Sequence, residues 1–203
     1  MPPTPLNWHP GTDTERLPVF MDQAQEPIPT WQEFRKTGRA SAVAVLFDVS
    51  ASSRDQASAP LVLTRRSLKV NSHKGQISLP GGRREDHDIT PADTARREAS
   101  EELGVPREAL VAHGILPTLP ALNRDLVVPV LVTSTERPHP DQVQTDEVAE
   151  LLAIPWEFFR ADRRELVHFR LFGLQRRSYL YRQPPHLIWG LTAQILALAN
   201  FDC

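Results

Sequence analysis

The stretch that most restricts the fold is TPADTARREASEELGVP, residues 90–106. Thr90 before Pro91 is a helix start. The threonine hydroxyl caps free backbone N–H groups, and proline fits the first turn, where its missing N–H has no partner to lose. Gly104 followed by Pro106 is a stop. The spacing predicts a helix over 91–103, with Ala92, Ala95, Ala99 and Leu103 on one stripe. A stripe of such small side chains lets a helix lie close against a sheet.

The rest of the chain supplies strands. Residues 40–49 and 60–67 are β-branched apolar runs joined by a polar loop and read as an antiparallel pair. QISLPGG, 76–82, reads as a short strand entering a glycine loop. Residues 109–119, 125–135 and 148–156 read as further strands, the last followed by a short helix. Residues 166–172 and 177–182 look like a hairpin, and 186–200 like a helix packed on the sheet. A short helix is expected over 30–38, capped by Thr30. The pattern is α/β: a mixed sheet in an α/β/α arrangement. Residues 1–29, rich in proline and polar groups, read as an arm before one domain over 30–203.

Composition narrows the function classes. Of 203 residues 40% are hydrophobic, enough for a sizeable core. Net charge is −2 with Lys and Arg spread along the chain, which argues against a nucleic-acid surface and against a membrane anchor. Cys203 is the single cysteine, so no internal disulfide is available. The first ten residues lack the pattern of a signal peptide, and 187–201 is too short an apolar run to span a bilayer. The expectation is a soluble, cytoplasmic protein. Oligomeric state is left open.

Glu98, Glu101 and Glu102 crowd the last turns of the 91–103 helix. Like charges at these spacings each cost about 0.2–0.5 kcal/mol. Carboxylates at a helix C-terminus oppose the macrodipole by about 0.3–1 kcal/mol each. Arg97, four residues before Glu101, offers that one residue a partner in the weaker orientation, and leaves Glu98 and Glu102 without one. A solvated charged face is the bland account. A hard divalent cation is the sharper one, because it gathers several oxygens at short range. The preceding Gly81–Gly82 pair lets backbone come close to a ligand.

These residues resemble the Nudix box: Gly, five residues, Glu, seven residues, then Arg-Glu-apolar-x-Glu-Glu-x-Gly-apolar. Arg97, Glu98, Ala99, Glu101, Glu102, Gly104 and Val105 match its second half. In the first half Asp88 stands for the glutamate, with eight residues rather than seven before Arg97. Upstream, residues 63–82 are similar to the signature of the coenzyme A pyrophosphatases in that superfamily, through Leu63, Thr64, Arg66, Ser67, Gly75, Pro80, Gly81 and Gly82. Val62, Asn71 and Leu79 depart from it. That subfamily usually shows the same Asp and extra residue in the box.

The resemblance implies a Nudix-type α/β/α sandwich and a small-molecule substrate. The implied reaction is hydrolysis of the pyrophosphate of coenzyme A or a derivative to adenosine 3′,5′-bisphosphate and 4′-phosphopantetheine. It implies Mg²⁺ or Mn²⁺ held by Glu98 and Glu102, with Glu101 and the Gly82 carbonyl. Glu101, or Glu147 in the loop before the 148–156 strand, is the candidate base. Arg66, Lys74 and Arg83 are the candidate phosphate contacts, with Arg84 and His73 beside them. Two other classes stay open: a Nudix pyrophosphatase for another nucleoside diphosphate derivative such as ADP-ribose, and a non-catalytic Nudix binding module.

Overall fold

The computed structural model describes residues 24–34, 39–50, 59–70, 73–123, 125–139, 146–171 and 173–199. Its centre is strand β1, Ala40–Asp48. Along β1, Val45 and Phe47 enter one apolar cluster while Ala42, Ala44 and Leu46 enter another. A strand apolar on both faces has to be covered on both, and this one is.

One edge of β1 runs parallel to β7, Leu126–Ser134, from the Ala40–Leu126 pair to the Asp48–Ser134 pair. The other edge is shared by two antiparallel partners. Leu46 pairs with Val62 of β2, Leu61–Arg66, and Val43 pairs with Gly81 of β4, Gly81–Arg83. β2 also pairs with β3, Ile77–Ser78, and β8, Val148–Ile154. β7 pairs with β5, Leu110–Ile115, and β6, Leu119–Pro120. The result is the expected mixed sheet, of eight strands.

Helix α1, Pro91–Leu103, covers one face. Its Ala92, Ala95, Ala99 and Leu103 stripe packs on Ala42, Ala44, Leu46, Val128 and Val130. The opposite face is covered by helix α2, Gly190–Leu198, together with a second sheet of β9, Arg164–Leu171, β10, Leu174–Gln183, and β11, His186–Trp189. Tyr181, Ile188, Ala193 and Leu196 meet Val45, Phe47, Leu61 and Leu63 there.

Several expectations change in detail. The glycine pair is not a loop: Gly81 and Gly82 lie in β4, held by Val43 and Ala42 of β1. Residues 186–189 are strand, not helix, because Ile188 pairs with Tyr181 and buries, and Gly190 in a left-handed turn (φ 67°) begins the helix. The 109–119 run splits into β5 and β6, with Pro117 between them. In the expected 30–38 helix the described part is a three-residue 3₁₀ turn, Trp31–Glu33, carrying the Thr30 capping box; 35–38 lie outside the described residues. Most of the expected arm also lies outside them, and its last part is tied down where Gln25 bridges Ile115.

Candidate active site

β4 delivers the chain to α1 through residues 84–90. Thr90 caps the helix as expected: the Asp93 N–H donates to Thr90 Oγ1 at 3.2 Å, and the Thr90 N–H donates to Asp93 Oδ2 at 2.9 Å. Gly104 ends it in a left-handed turn, φ 65°.

Arg97 is the hub of the site and is only 9% exposed. Its Nη2 donates to Asp88 Oδ2 at 3.1 Å and to the Arg83 carbonyl at 2.8 Å. Its Nη1 reaches Glu98 Oε1 at 3.0 Å, Glu101 Oε2 at 3.4 Å and Glu85 Oε1 at 3.5 Å. These partners keep the guanidinium protonated far above any working pH, against the opposing effect of burial. Glu98 therefore does have a partner, contrary to the reading from spacing. Asp88 and the Arg83 carbonyl hold the guanidinium so that Nη1 points back along its own turn.

Asp88, which stands where the family pattern has glutamate, reaches Arg97 and is 1% exposed. Burial alone raises its carboxyl pKa. Hydrogen bonds from Arg97, the Glu85 N–H and Thr94, with the Arg97 charge, outweigh that and hold it below the usual carboxylate range.

Glu102 is buried rather than solvent-facing, at 6% exposed. Its Oε2 has no hydrogen-bond partner among the described residues. Burial pushes its pKa up to about 8, the Glu98 and Glu147 charges add to that, and Arg66 and the Gly81 N–H oppose it. Glu98 is raised too, first by burial and then by the Glu101 and Glu147 charges, with Arg97 opposing. Glu98, Glu102, Glu147 and Arg66 thus share one electrostatic neighbourhood. The reason is local. Arg66 pairs with Val148 across β2 and β8, and the Ser67 N–H donates to the Glu147 carbonyl at 2.7 Å.

Gly82 lies against Glu98, and a Cβ there would fall inside the Glu98 carboxylate. The donor set around it is oxygen only, the chemistry of Mg²⁺ or Mn²⁺. The Glu98 carboxylate seated against the Gly82 backbone and the orphaned Glu102 Oε2 fit such an ion. Among the described residues no three acidic, histidine or cysteine side chains already converge as a cage. Arg97 holds Glu98 and Glu101 through one nitrogen, while Glu102 is turned inward.

Two proposed phosphate contacts are not drawn into this cluster. Lys74 and Arg83 are exposed, and neither side chain makes an ion pair among the described residues; Arg83 contributes its carbonyl. Arg84 lies over the Trp31 ring at 5.9 Å. The His73 ring bonds Gln76 Oε1 at 2.9 Å. Asn71 lies outside the described residues.

The NUDIX domain family model matches residues 38–171, two thirds of the chain, which include β1, β4 and all of α1. The chain belongs to the Nudix family. An uncharacterized Nudix hydrolase, NudL, of Pectobacterium atrosepticum is 37% identical over 139 residues, covering 67% of this chain and 71% of that one. The chloroplastic Nudix hydrolase 22 of Arabidopsis thaliana is 34% identical, covering 68% of this chain and 48% of its own length. The crystal structure of a MutT/nudix family protein from Enterococcus faecalis aligns over 89% of this chain and 70% of that one, at 16% identity and a TM-score of 0.48. Nudix hydrolases act on small molecules and generally use divalent metals. No helix among the described residues is long and apolar enough to cross a membrane.

Proposed function

We propose that this Nudix hydrolase cleaves the pyrophosphate of coenzyme A or a derivative. Water attacks one phosphorus, the bridging oxygen leaves with the other phosphate, and adenosine 3′,5′-bisphosphate and 4′-phosphopantetheine result. The observation that carries the reading is that Arg66, from the upstream signature, belongs to the same electrostatic neighbourhood as Glu98, Glu102 and Glu147. The signature and the box serve one site.

Glu98, Glu101, Glu102 and the Gly82 carbonyl would hold Mg²⁺ or Mn²⁺. When bound, such an ion neutralises pyrophosphate charge and lowers the pKa of water. Glu98 and Glu101 have to loosen from Arg97 to reach it, and Asp88 keeps the guanidinium in place as they do. Arg66 binds a phosphate oxygen, and Lys74 and Arg83, exposed and outside the cluster, reach the phosphates of a bound substrate. Glu147 takes the proton from the attacking water. Its carboxylate makes no hydrogen bond among the described residues, whereas Glu101 is held by Arg97.

Products identified from a panel of pyrophosphates with Mg²⁺ or Mn²⁺ test the reading. Coenzyme A should exceed dephospho-coenzyme A and ADP-ribose in kcat/KM, because cations placed for the 3′-phosphate are left unpaired without it. Equal or faster hydrolysis of ADP-ribose rejects coenzyme A and leaves a Nudix pyrophosphatase of other specificity.

A further inference from the structure

Trp31 precedes the region that the family model matches, yet it grips the loop between β4 and α1 near both ends. Its backbone N–H donates to the Ile89 carbonyl at 2.9 Å, and the Arg84 guanidinium lies over its ring. Its indole Nε1–H donates to Thr94 Oγ1, on the helix, at 3.2 Å. Trp31 is 3% exposed and Thr94 is fully buried.

The direction of these bonds matters. A threonine hydroxyl has one proton, and an indole N–H only donates. Trp31 therefore occupies a lone pair of Thr94 Oγ1 and leaves the proton for Asp88 Oδ2, 3.0 Å away. Asp88 is the carboxylate that fixes Arg97. The loop that carries it has one residue more than the family pattern, and its acid is one methylene shorter. A longer loop has more conformations to lose, and a shorter acid has less reach. Contacts at residues 84, 89 and 94 remove that freedom.

We infer that Trp31 is a positioning residue of the candidate active site. Through Thr94 and Asp88 it fixes the Arg97 guanidinium, and through Arg97 the carboxylates of Glu98 and Glu101. The kinetic side of this inference rests on the proposed hydrolysis; the structural side does not.

Trp31→Phe keeps a buried ring and loses the N–H. Thr94→Val keeps the shape and loses the hydroxyl, and Thr94→Ser restores it. Trp31→Phe and Thr94→Val should each lower kcat about tenfold with KM within about twofold, and Thr94→Ser should stay near the wild type. The double variant should be no slower than Thr94→Val alone, because both changes break one chain. In EDTA, backbone amides of residues 84–90 should exchange hydrogen about tenfold faster in the first two variants and at the wild-type rate in Thr94→Ser. Unchanged exchange with unchanged kcat overturns the inference and leaves the hydrolase reading intact. Additive losses in the double variant overturn it as well. If the wild type hydrolyses none of the pyrophosphates, exchange alone decides: acceleration supports the positioning role, and its absence rejects it.

Discussion

Asp88 and Arg97, nine positions apart and on either side of the helix start, lie side to side with Nη2 3.1 Å from Oδ2 and Nε 3.4 Å from Oδ1. This two-point contact ties the loop to the helix. It also decides where the remaining guanidinium nitrogen points, and so where Glu98 and Glu101 rest.

Asp88→Asn should cost about 2–3 kcal/mol of stability at neutral pH, since Arg97 loses a buried counter-charge but keeps other partners. The sign with pH follows from the depressed pKa of Asp88. Its stabilisation is fully present above the unfolded value of about 3.9 and fades as pH falls through the lower folded value. Urea unfolding at neutral pH and at pH 3 should therefore give a smaller gap between variant and wild type at the acid end. A gap of equal size at both would count against an ionised Asp88.

Glu98→Gln and Glu102→Gln should each lower turnover by about two orders of magnitude, and EDTA should abolish wild-type activity. The two should part company in stability. Glu102 buries a carboxylate oxygen without a partner beside Glu98, so Glu102→Gln should stabilise the metal-free protein by about 1 kcal/mol. Glu98→Gln also removes a disfavoured charge but gives up a contact with Arg97, so it should stabilise less. Thermal melts in EDTA distinguish them. Full activity of both variants with excess EDTA would remove the metal-site reading.

The two glycines of β4 should fail differently. At Gly82 the obstacle to a Cβ is the end of the flexible Glu98 side chain, so Gly82→Ala should fold and displace that carboxylate, losing about a hundredfold in activity. At Gly81, with φ 153°, the obstacle is the Ala42 carbonyl and the Val43 backbone, so Gly81→Ala should lose stability by several degrees in Tm. Equal melting points for the two variants would contradict this division.

Glu147→Gln tests the base. Loss of kcat with KM nearly unchanged, together with a moved or missing acidic limb in the pH–rate profile, is the expected result. A kcat near the wild type passes the role to Glu101.

Helix α1 was legible to the residue because both of its ends are written locally, Thr90–Pro91 at one and Gly104 at the other. The strands around β1 were legible from apolar runs. β4 was not, because a glycine pair has no side-chain pattern and its place is fixed only by pairing with Ala42 and Val43. β11 was hidden inside one long apolar run, where four residues are too few for a period to show. At the site, i to i+4 spacing found Arg97 with Glu101 but missed Arg97 with Glu98. The latter depends on Asp88, which arrives from outside the helix. Trp31 left no signal at all, since its partner Thr94 is met only once the chain has folded back.

The parallel pairing of β1 with β7 also sets an order of events. β4 and α1 lie within the crossover that joins those strands, so the candidate site, Glu147 apart, is assembled inside the loop that the central pair closes. Parallel pairs need such long crossovers, and contacts so distant along the chain form slowly. During synthesis one edge of β1, an apolar strand, stays open until residues near Ser134 have emerged. The nascent chain is exposed to wrong edge-to-edge pairing for that whole interval, and a variant that slows the crossover lengthens it.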